Sequence, residues 1–237
     1  MARYETTPET AFSTPYAADE RVSAFMRSVY GWMAAGLAIT AGVAFYVAGS
    51  PEIVQAIASN RALFWGLMIA QLGLVFTMSA RVEKMASSTA TMLFVIYSAL
   101  TGVTMAFVLL AFTGQSVATT FLVTSGMFGA MATYGTVTRR SLAGWGQFLF
   151  MGLIGVILAS IVGIFWRSDA LQFVISFIGV IVFTGLTAYD AQRLKALALT
   201  TPAGQIGSYA IVGALALYLD FINLFLMLLR FTGNRRD

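Results

Sequence analysis

Apolar and polar residues are segregated along the chain into long apolar stretches and short polar breaks. An α-helix needs about 20 mostly apolar residues to cross the hydrocarbon core of a bilayer. Seven stretches approach or exceed that length: Val29–Gly49, Leu63–Ser79, Thr89–Phe112, Val117–Val137, Trp145–Trp166, Leu171–Tyr189 and Ile206–Phe231. The pattern predicts an all-α protein, a polytopic bundle of seven transmembrane helices.

The chain before the first apolar stretch is polar and carries charges of both signs. Residues 1–20 are therefore expected to form a disordered tail, and residues 21–237 a single seven-span domain. The tail lacks the order of basic, apolar and small residues found in a cleaved signal peptide, so we expect a retained signal anchor. Val22, Phe25, Met26 and Val29 recur at helical spacing, which fits either a short interfacial helix or an extension of the first span.

Composition supports a membrane protein and excludes several classes of function. Hydrophobic residues make up 59% of the chain and charged residues only 10%, whereas soluble domains carry about 25% charged residues. The lack of Cys and His excludes disulfides, thiol catalysis, imidazole metal ligands and histidine-based triads. The 14 basic residues are scattered over short breaks, which is not typical of a nucleic-acid-binding surface. We expect no bound cofactor and no soluble enzyme.

The distribution of Lys and Arg predicts the side of the membrane on which each end of the chain lies. Cytoplasmic loops of membrane proteins are enriched in these residues, most clearly in short loops near span ends. With seven spans, the N-terminal side would hold the larger group: Arg3, Arg21, Arg27, Arg81, Lys84, Arg139, Arg140, Arg193 and Lys195. The opposite side would hold the smaller group: Arg61, Arg167, Arg230, Arg235 and Arg236. The sequence therefore predicts a cytoplasmic N-terminus, although the basic C-terminal tail would then lie outside.

Two aspartates interrupt the apolar pattern near the end of the chain. Between residues 29 and 231, the acidic residues Glu52, Glu83 and Asp169 fall in polar breaks, whereas Asp190 and Asp220 belong to long apolar segments. An ionised Asp at the centre of a membrane helix costs about 2.5–3.5 kcal/mol, so such a residue normally faces the protein interior, a cavity or a partner. Each of these two aspartates is therefore a candidate functional residue.

Residue spacing places both aspartates on helix faces that carry other polar or small residues. The two faces comprise Ser176, Gly179, Phe183, Thr187 and Asp190 on the sixth span, and Gly213, Ala216, Asp220 and Asn223 on the seventh. If these faces meet, the two carboxyl groups titrate as a coupled pair. Such a pair, supplemented by Thr187 and Asn223, offers the oxygen ligands that Ca²⁺ prefers, although two acids suit a low-affinity permeation site better than a tight one. The alternative is that both aspartates are structural hydrogen-bonding residues.

Two motifs resemble those of the Bax inhibitor (TMBIM) family. They are GLTAYDAQRLK at Gly185–Lys195 and ALALYLDFINLFLMLLR at Ala214–Arg230. Shorter similar segments lie at Tyr30–Met33, Met92–Gly102 and Ser125–Met131. The resemblance covers nearly the whole chain beyond residue 20 and is greatest for the bacterial inner-membrane branch of the family.

The resemblance implies a seven-helix bundle with a central last helix, a pH-responsive aspartate dyad and a slow, acid-sensitive calcium leak. The dyad corresponds to Asp190 and Asp220. The latch arginine of the family, which pairs with an aspartate in one conformation, corresponds to Arg81, or to Lys84 if a short insertion shifts the match. The leading hypothesis is a pH-sensitive calcium leak channel of a bacterial inner membrane, with calcium as the permeant ion.

Two other classes of function compete with the channel hypothesis. Some bacterial relatives look like membrane-embedded regulators that bind a partner such as a quality-control protease, and the N-terminal tail would then matter more than the dyad. An aspartyl intramembrane protease also pairs a Tyr-Asp in one span with an Asp in the next, as at Tyr189-Asp190. Its second motif requires Gly-x-Gly-Asp, whereas Asp220 follows Leu217-Tyr218-Leu219. We therefore expect that the protein is not an enzyme.

Overall fold

The computed structural model describes residues 15–166 and 168–236, and these residues are almost entirely helical. The helices are α1 Pro15–Ala48, α2 Pro51–Ser59, α3 Arg61–Arg81, α4 Ser87–Ala111, α5 Gly114–Val137, α6 Ala143–Phe165, α7 Asp169–Thr200 and α8 Ile206–Thr232. Single 3-10 turns at Val82–Lys84 and Ala203–Gln205 precede α4 and α8. Seven of the helices are long and apolar enough to cross a membrane. The predicted all-α fold with seven spans is confirmed.

The first span is longer than its apolar stretch. Helix α1 begins at Pro15, a residue that suits the first turn of a helix because its missing N–H would have no partner there. Phe25, Met26 and Val29 are buried on one face of this continuous helix, so the helical pattern before the first span is an extension of that span. Residues 15–20 of the predicted tail are therefore helical, and residues 1–14 lie outside the described part of the chain.

The short helix α2 was not predicted from the sequence, because the apolar segment between the breaks at Ser50–Glu52 and Asn60-Arg61 is too short to give the signal of a span. Pro51 stands at its start, Glu52 lies in its first turn and Ile57 is its buried residue. With 9 residues it is too short to span a bilayer. Its amphipathic pattern is typical of a helix that lies at the membrane surface between two spans.

The last helix, α8, occupies the centre of the bundle. It packs against α1, α4, α5 and α7, and 67% of its most apolar stretch is buried, compared with 6% for the peripheral helix α3. Two hydrogen bonds fix its position. The Tyr218 hydroxyl lies 2.6 Å from the Thr40 hydroxyl of α1, and the Thr40 hydroxyl donates to the Ser98 carbonyl of α4 at 2.9 Å. The central last helix implied by the family resemblance is present.

The residues after α8 are held against the turn between α4 and α5. The Thr113 N–H donates to the Asn234 carbonyl, and the Arg236 N–H donates to the Ala111 carbonyl, both at 3.0 Å. The Asn234 N–H in turn donates to the Ser116 hydroxyl at 2.9 Å. These bonds fix the C-terminal segment at the end of the bundle opposite the α7–α8 connection.

Candidate functional site

Helix α7 continues well past the predicted end of the sixth span and so contains Asp190 in its interior. The sixth span was predicted to end at Tyr189, but helix α7 ends at Thr200. Gln192 anchors this extension to the α5–α6 loop, because its side chain accepts from the Leu142 N–H at 2.7 Å and donates to the Arg140 carbonyl at 2.9 Å. The turn of α7 that follows Asp190 is therefore tied to the α5–α6 loop.

Asp190 and Asp220 line one cavity of about 550 Å³ between α6, α7 and α8. Asp220 is buried at 5% exposure, whereas Asp190 is half-buried. Their carboxyl groups lie close enough to act on each other. The polar residues that share the cavity wall are Gln147, Tyr189, Arg193 and Asn223. The two aspartate-bearing faces therefore do meet, which the sequence had left as a condition.

The Oδ2 atom of Asp220 is the most unusual atom of this cavity. It is buried, and with both carboxyl groups ionised it has no hydrogen-bond partner among the described residues; the Asp190 carboxyl becomes a partner when a proton lies between the two groups. A buried polar atom without a partner costs about 1–3 kcal/mol, and more if it is charged. The atom is therefore set to take a proton, a water molecule or a cation that enters the cavity.

Arg193 is the cation that acts on the dyad in this conformation. It lies three residues after Asp190 on α7, lines the same cavity, and its charge acts on the Asp190 carboxyl. In the sequence, Arg193 contributed only to the prediction of topology. The helical spacing of three between Asp190 and Arg193 was the signal that could have identified it.

Arg81 and Lys84 lie apart from the dyad. Both are exposed and line a separate cavity of about 630 Å³ at the end of α3, together with Glu83. The Glu83 carbonyl accepts a hydrogen bond from the Gln205 side chain at 2.9 Å, which ties this turn to the start of α8. A latch between Arg81 and an aspartate stays a prediction that requires a different conformation.

Comparison with known proteins settles the family. The sequence model described as "Inhibitor of apoptosis-promoting Bax1" matches residues 22–237. The chain belongs to the Bax inhibitor family. It is 52% identical over 215 residues to inner membrane protein YbhL of Escherichia coli K12, which covers 90% of this chain and 92% of that protein.

Other bacterial proteins, of lower identity, also match over nearly their whole length. An uncharacterized protein of Deinococcus radiodurans is 45% identical over 219 residues, with 92% of this chain and 93% of that protein covered. An uncharacterized protein of Borreliella burgdorferi is 44% identical over 215 residues, with 90% and 93% covered. The predicted recognition is confirmed, and the chain is a membrane protein of this family.

Asn223 and Thr187, predicted to support the dyad, occupy different positions. Asn223 lines the dyad cavity, and its amide nitrogen donates to the Leu219 carbonyl at 2.8 Å. Thr187 is fully buried, and its hydroxyl donates to the Phe183 carbonyl within its own helix at 2.8 Å. The oxygen of the Asn223 side chain is therefore the better placed to contact an ion beside Asp190 and Asp220.

The described residues contain no group of three or more Asp, Glu, His or Cys side chains that could hold a metal ion. The cavity instead offers the carboxyl groups of Asp190 and Asp220 and the side-chain amides of Gln147 and Asn223. Ca²⁺ prefers six to eight oxygen ligands, several of which can be water. This set of ligands suits a hydrated cation in passage rather than a tightly bound one.

Proposed function

We propose that this protein is a pH-sensitive calcium leak channel of the bacterial inner membrane, with its N-terminus in the cytoplasm. The observation that carries the proposal is the buried Oδ2 atom of Asp220, which lacks a partner when both carboxyl groups are ionised, in a cavity that Asp190 also lines. A transient cation or proton at this position would satisfy that atom. The name of the Escherichia coli relative supports the assignment to the inner membrane.

Proton and calcium compete for the same oxygens in this mechanism. With both carboxyl groups ionised, the cavity attracts a divalent cation and supplies its hard oxygen ligands. Protonation of either carboxyl removes one negative charge and so weakens the attraction. Because Asp190 and Asp220 act on each other, the dyad titrates as a unit and makes the flux depend on pH. No catalytic residue is needed, so the proposed function is not enzymatic.

Two cations regulate the charge of the dyad in this proposal. Arg193 stands beside Asp190 in the conformation described and offsets part of its negative charge. Arg81 would pair with an aspartate in a second conformation and so remove a ligand from the path. Helix α3, which carries Arg81, is the least buried of the seven spans and is therefore the one that can move at the lowest cost.

Calcium flux into proteoliposomes of the purified protein tests the proposal, measured from about pH 6 to about pH 8. Wild type is compared with Asp190→Asn and Asp220→Asn, which keep side-chain size and remove the charge. Glu52→Gln is the matched control, because Glu52 is an exposed carboxylate in the first turn of α2 and lies outside the dyad cavity. A pH-dependent flux that both dyad variants flatten and the control preserves is the expected result. No flux at any pH, or equal flux in all variants, would contradict it.

A regulator that binds a membrane partner, such as a quality-control protease, is the second candidate function. An open, mainly apolar cleft of about 460 Å³ between α1 and α5 supports it, because Tyr30 and Thr136 give this lipid-facing surface polar groups for specific contact. Deletion of residues 1–14 separates the two functions, since α1 begins at Pro15 and stays intact. Loss of partner binding in the truncated chain, together with no calcium flux in the full chain, would favour the regulator.

A further inference from the structure

Helices α6, α7 and α8 enclose a second cavity at the end of the bundle opposite the dyad. Its volume is about 1030 Å³, larger than that of the dyad cavity. It lies where α6 and α8 end and α7 begins, which is the level of lipid headgroups if the seven helices span the bilayer. Its charged and polar wall is formed by Ser160, Asp169, Gln172, Ser176, Arg230 and Arg235.

Two arginines dominate the charge of this cavity. Arg230 lies in the last turn of α8, Arg235 lies just beyond that helix, and their charges act on each other. Two guanidinium groups in one cavity repel each other unless an anion lies between them. Asp169 also lines the wall, but it is a single exposed carboxylate against two cations. The net charge of the titratable wall groups is therefore positive.

The position of Arg235 is set by the fold. The backbone on either side of it is bonded to the α4–α5 turn through Asn234 and Arg236. Arg235 itself pairs with Phe112 in an isolated antiparallel bridge. The two arginines thus reach the cavity from independently fixed positions, which reduces the entropic cost of binding an anion.

The outer rim of the cavity is apolar and faces the region of the lipid chains. Phe173 of α7 and Phe231 of α8 line the cavity, and their ring centroids lie 5.1 Å apart. Phe177 adds a third ring 6.2 Å from Phe231. All three side chains are exposed on the surface of the bundle. A ligand that fits this arrangement has an anionic head for the arginines and an acyl chain for the aromatic rim.

We propose that this cavity binds the phosphate group of an anionic phospholipid, with Arg230 and Arg235 as its two cationic contacts. Arginine forms strong, often bidentate hydrogen bonds to phosphate. The Gln172 and Ser176 side chains add neutral donors on the α7 wall. The bound lipid joins the ends of α6, α7 and α8 and so stabilises the folded bundle.

Lipid titration of the detergent-purified full chain tests this site. The probe is dioctanoyl phosphatidylglycerol, and the readout is its apparent Kd from the rise in the thermal unfolding midpoint. Arg230→Gln and Arg235→Gln are each expected to weaken binding by about tenfold or more, since each removes a charge-assisted hydrogen bond. Arg230→Lys keeps the charge and is expected to retain more affinity than Arg230→Gln, which guards against a general folding defect.

Arg236→Gln is the matched control, because it removes the same charge from the same segment without touching the cavity wall. General attraction of a surface arginine to anionic lipid accounts for about a fivefold effect at most. Equal weakening in the Arg236, Arg230 and Arg235 variants would overturn the proposal. Inorganic phosphate that binds as tightly as the lipid, with the same arginine dependence, would overturn the assignment to a lipid and leave a site for a soluble anion.

Discussion

Gly135 on α5 is the position where one added methyl group should disturb the bundle most. A Cβ atom built there would lie 2.8 Å from the carbonyl carbon of Ala188 and 2.9 Å from its Cα. These are backbone atoms of α7, two residues before Asp190, so no side-chain rotation relieves the clash. We predict that Gly135→Ala forces α5 and α7 apart and displaces the dyad.

Two opposing effects set the magnitude of this change. Gly→Ala in a helix interior stabilises the helix by up to about 1 kcal/mol. Overpacking of a close contact costs about 1–3 kcal/mol, and a backbone neighbour places this site at the upper end of that range. The net effect on the free energy of unfolding is therefore a loss of about 1–2 kcal/mol. Gly129 on the same helix has no atom within 4 Å of an added Cβ, so Gly129→Ala should stabilise or leave stability unchanged.

Thermal unfolding of both variants in the same detergent measures the difference, and calcium flux reports on the dyad. The reasoning requires opposite signs: Gly135→Ala unfolds at a lower temperature than wild type, and Gly129→Ala does not. If Gly135→Ala is as stable as Gly129→Ala, then α5 and α7 do not pack as closely at Ala188 as described here. Such a result would refute the argument that this contact positions Asp190.

Two further predictions concern single side chains. Tyr218→Phe removes the 2.6 Å hydrogen bond to Thr40 and keeps the packing of the ring. We therefore expect the free energy of unfolding to fall by about 1 kcal/mol, which thermal denaturation would measure. Calcium flux should stay unchanged. Arg193→Gln removes the cation beside Asp190, so we expect faster calcium flux at neutral pH than in wild type. Arg140→Gln, on the same predicted side of the membrane but outside the cavity, should have no such effect, and equal changes in the two variants would exclude a specific role for Arg193.

The number and nature of the spans could be predicted because hydropathy over about 20 residues reports directly on the transfer of a helix into lipid. The same property explains the missed helix α2, which is too short to give a span signal. Hydropathy also placed the end of the sixth span too early, at Tyr189, because Gln192, Arg193 and Lys195 are polar. Helix α7 continues past them because the Gln192 and Lys195 side chains donate to carbonyl groups around the α5–α6 connection. Hydropathy detects the membrane boundary and not the end of the helix.

The meeting of Asp190 and Asp220 could be predicted because each lies on a face of small and polar residues, and such faces pack against one another in membranes. The position of Arg81 could not be obtained in this way. Its distance from the dyad depends on how α3 is placed around α8, and the sequence pattern of α3 has no strongly polar face to fix that placement. The proximity of Arg193 to Asp190 follows from the geometry of their shared helix, so the spacing of three residues would have been sufficient to identify it.

The two cavities between α6, α7 and α8 lie at opposite ends of these helices, along one groove, and they carry opposite charge. The dyad cavity is lined by Asp190 and Asp220, and the other by Arg230 and Arg235. Between them the groove is closed where Met227 of α8 packs against Gly179 of α7, with its Cγ 2.7 Å from the position of an added Cβ. A cation that leaves the dyad along this groove meets an apolar closure and then a positive cavity. Both barriers oppose passage, so the channel function proposed above fits a slow leak rather than the fast conduction of an open pore.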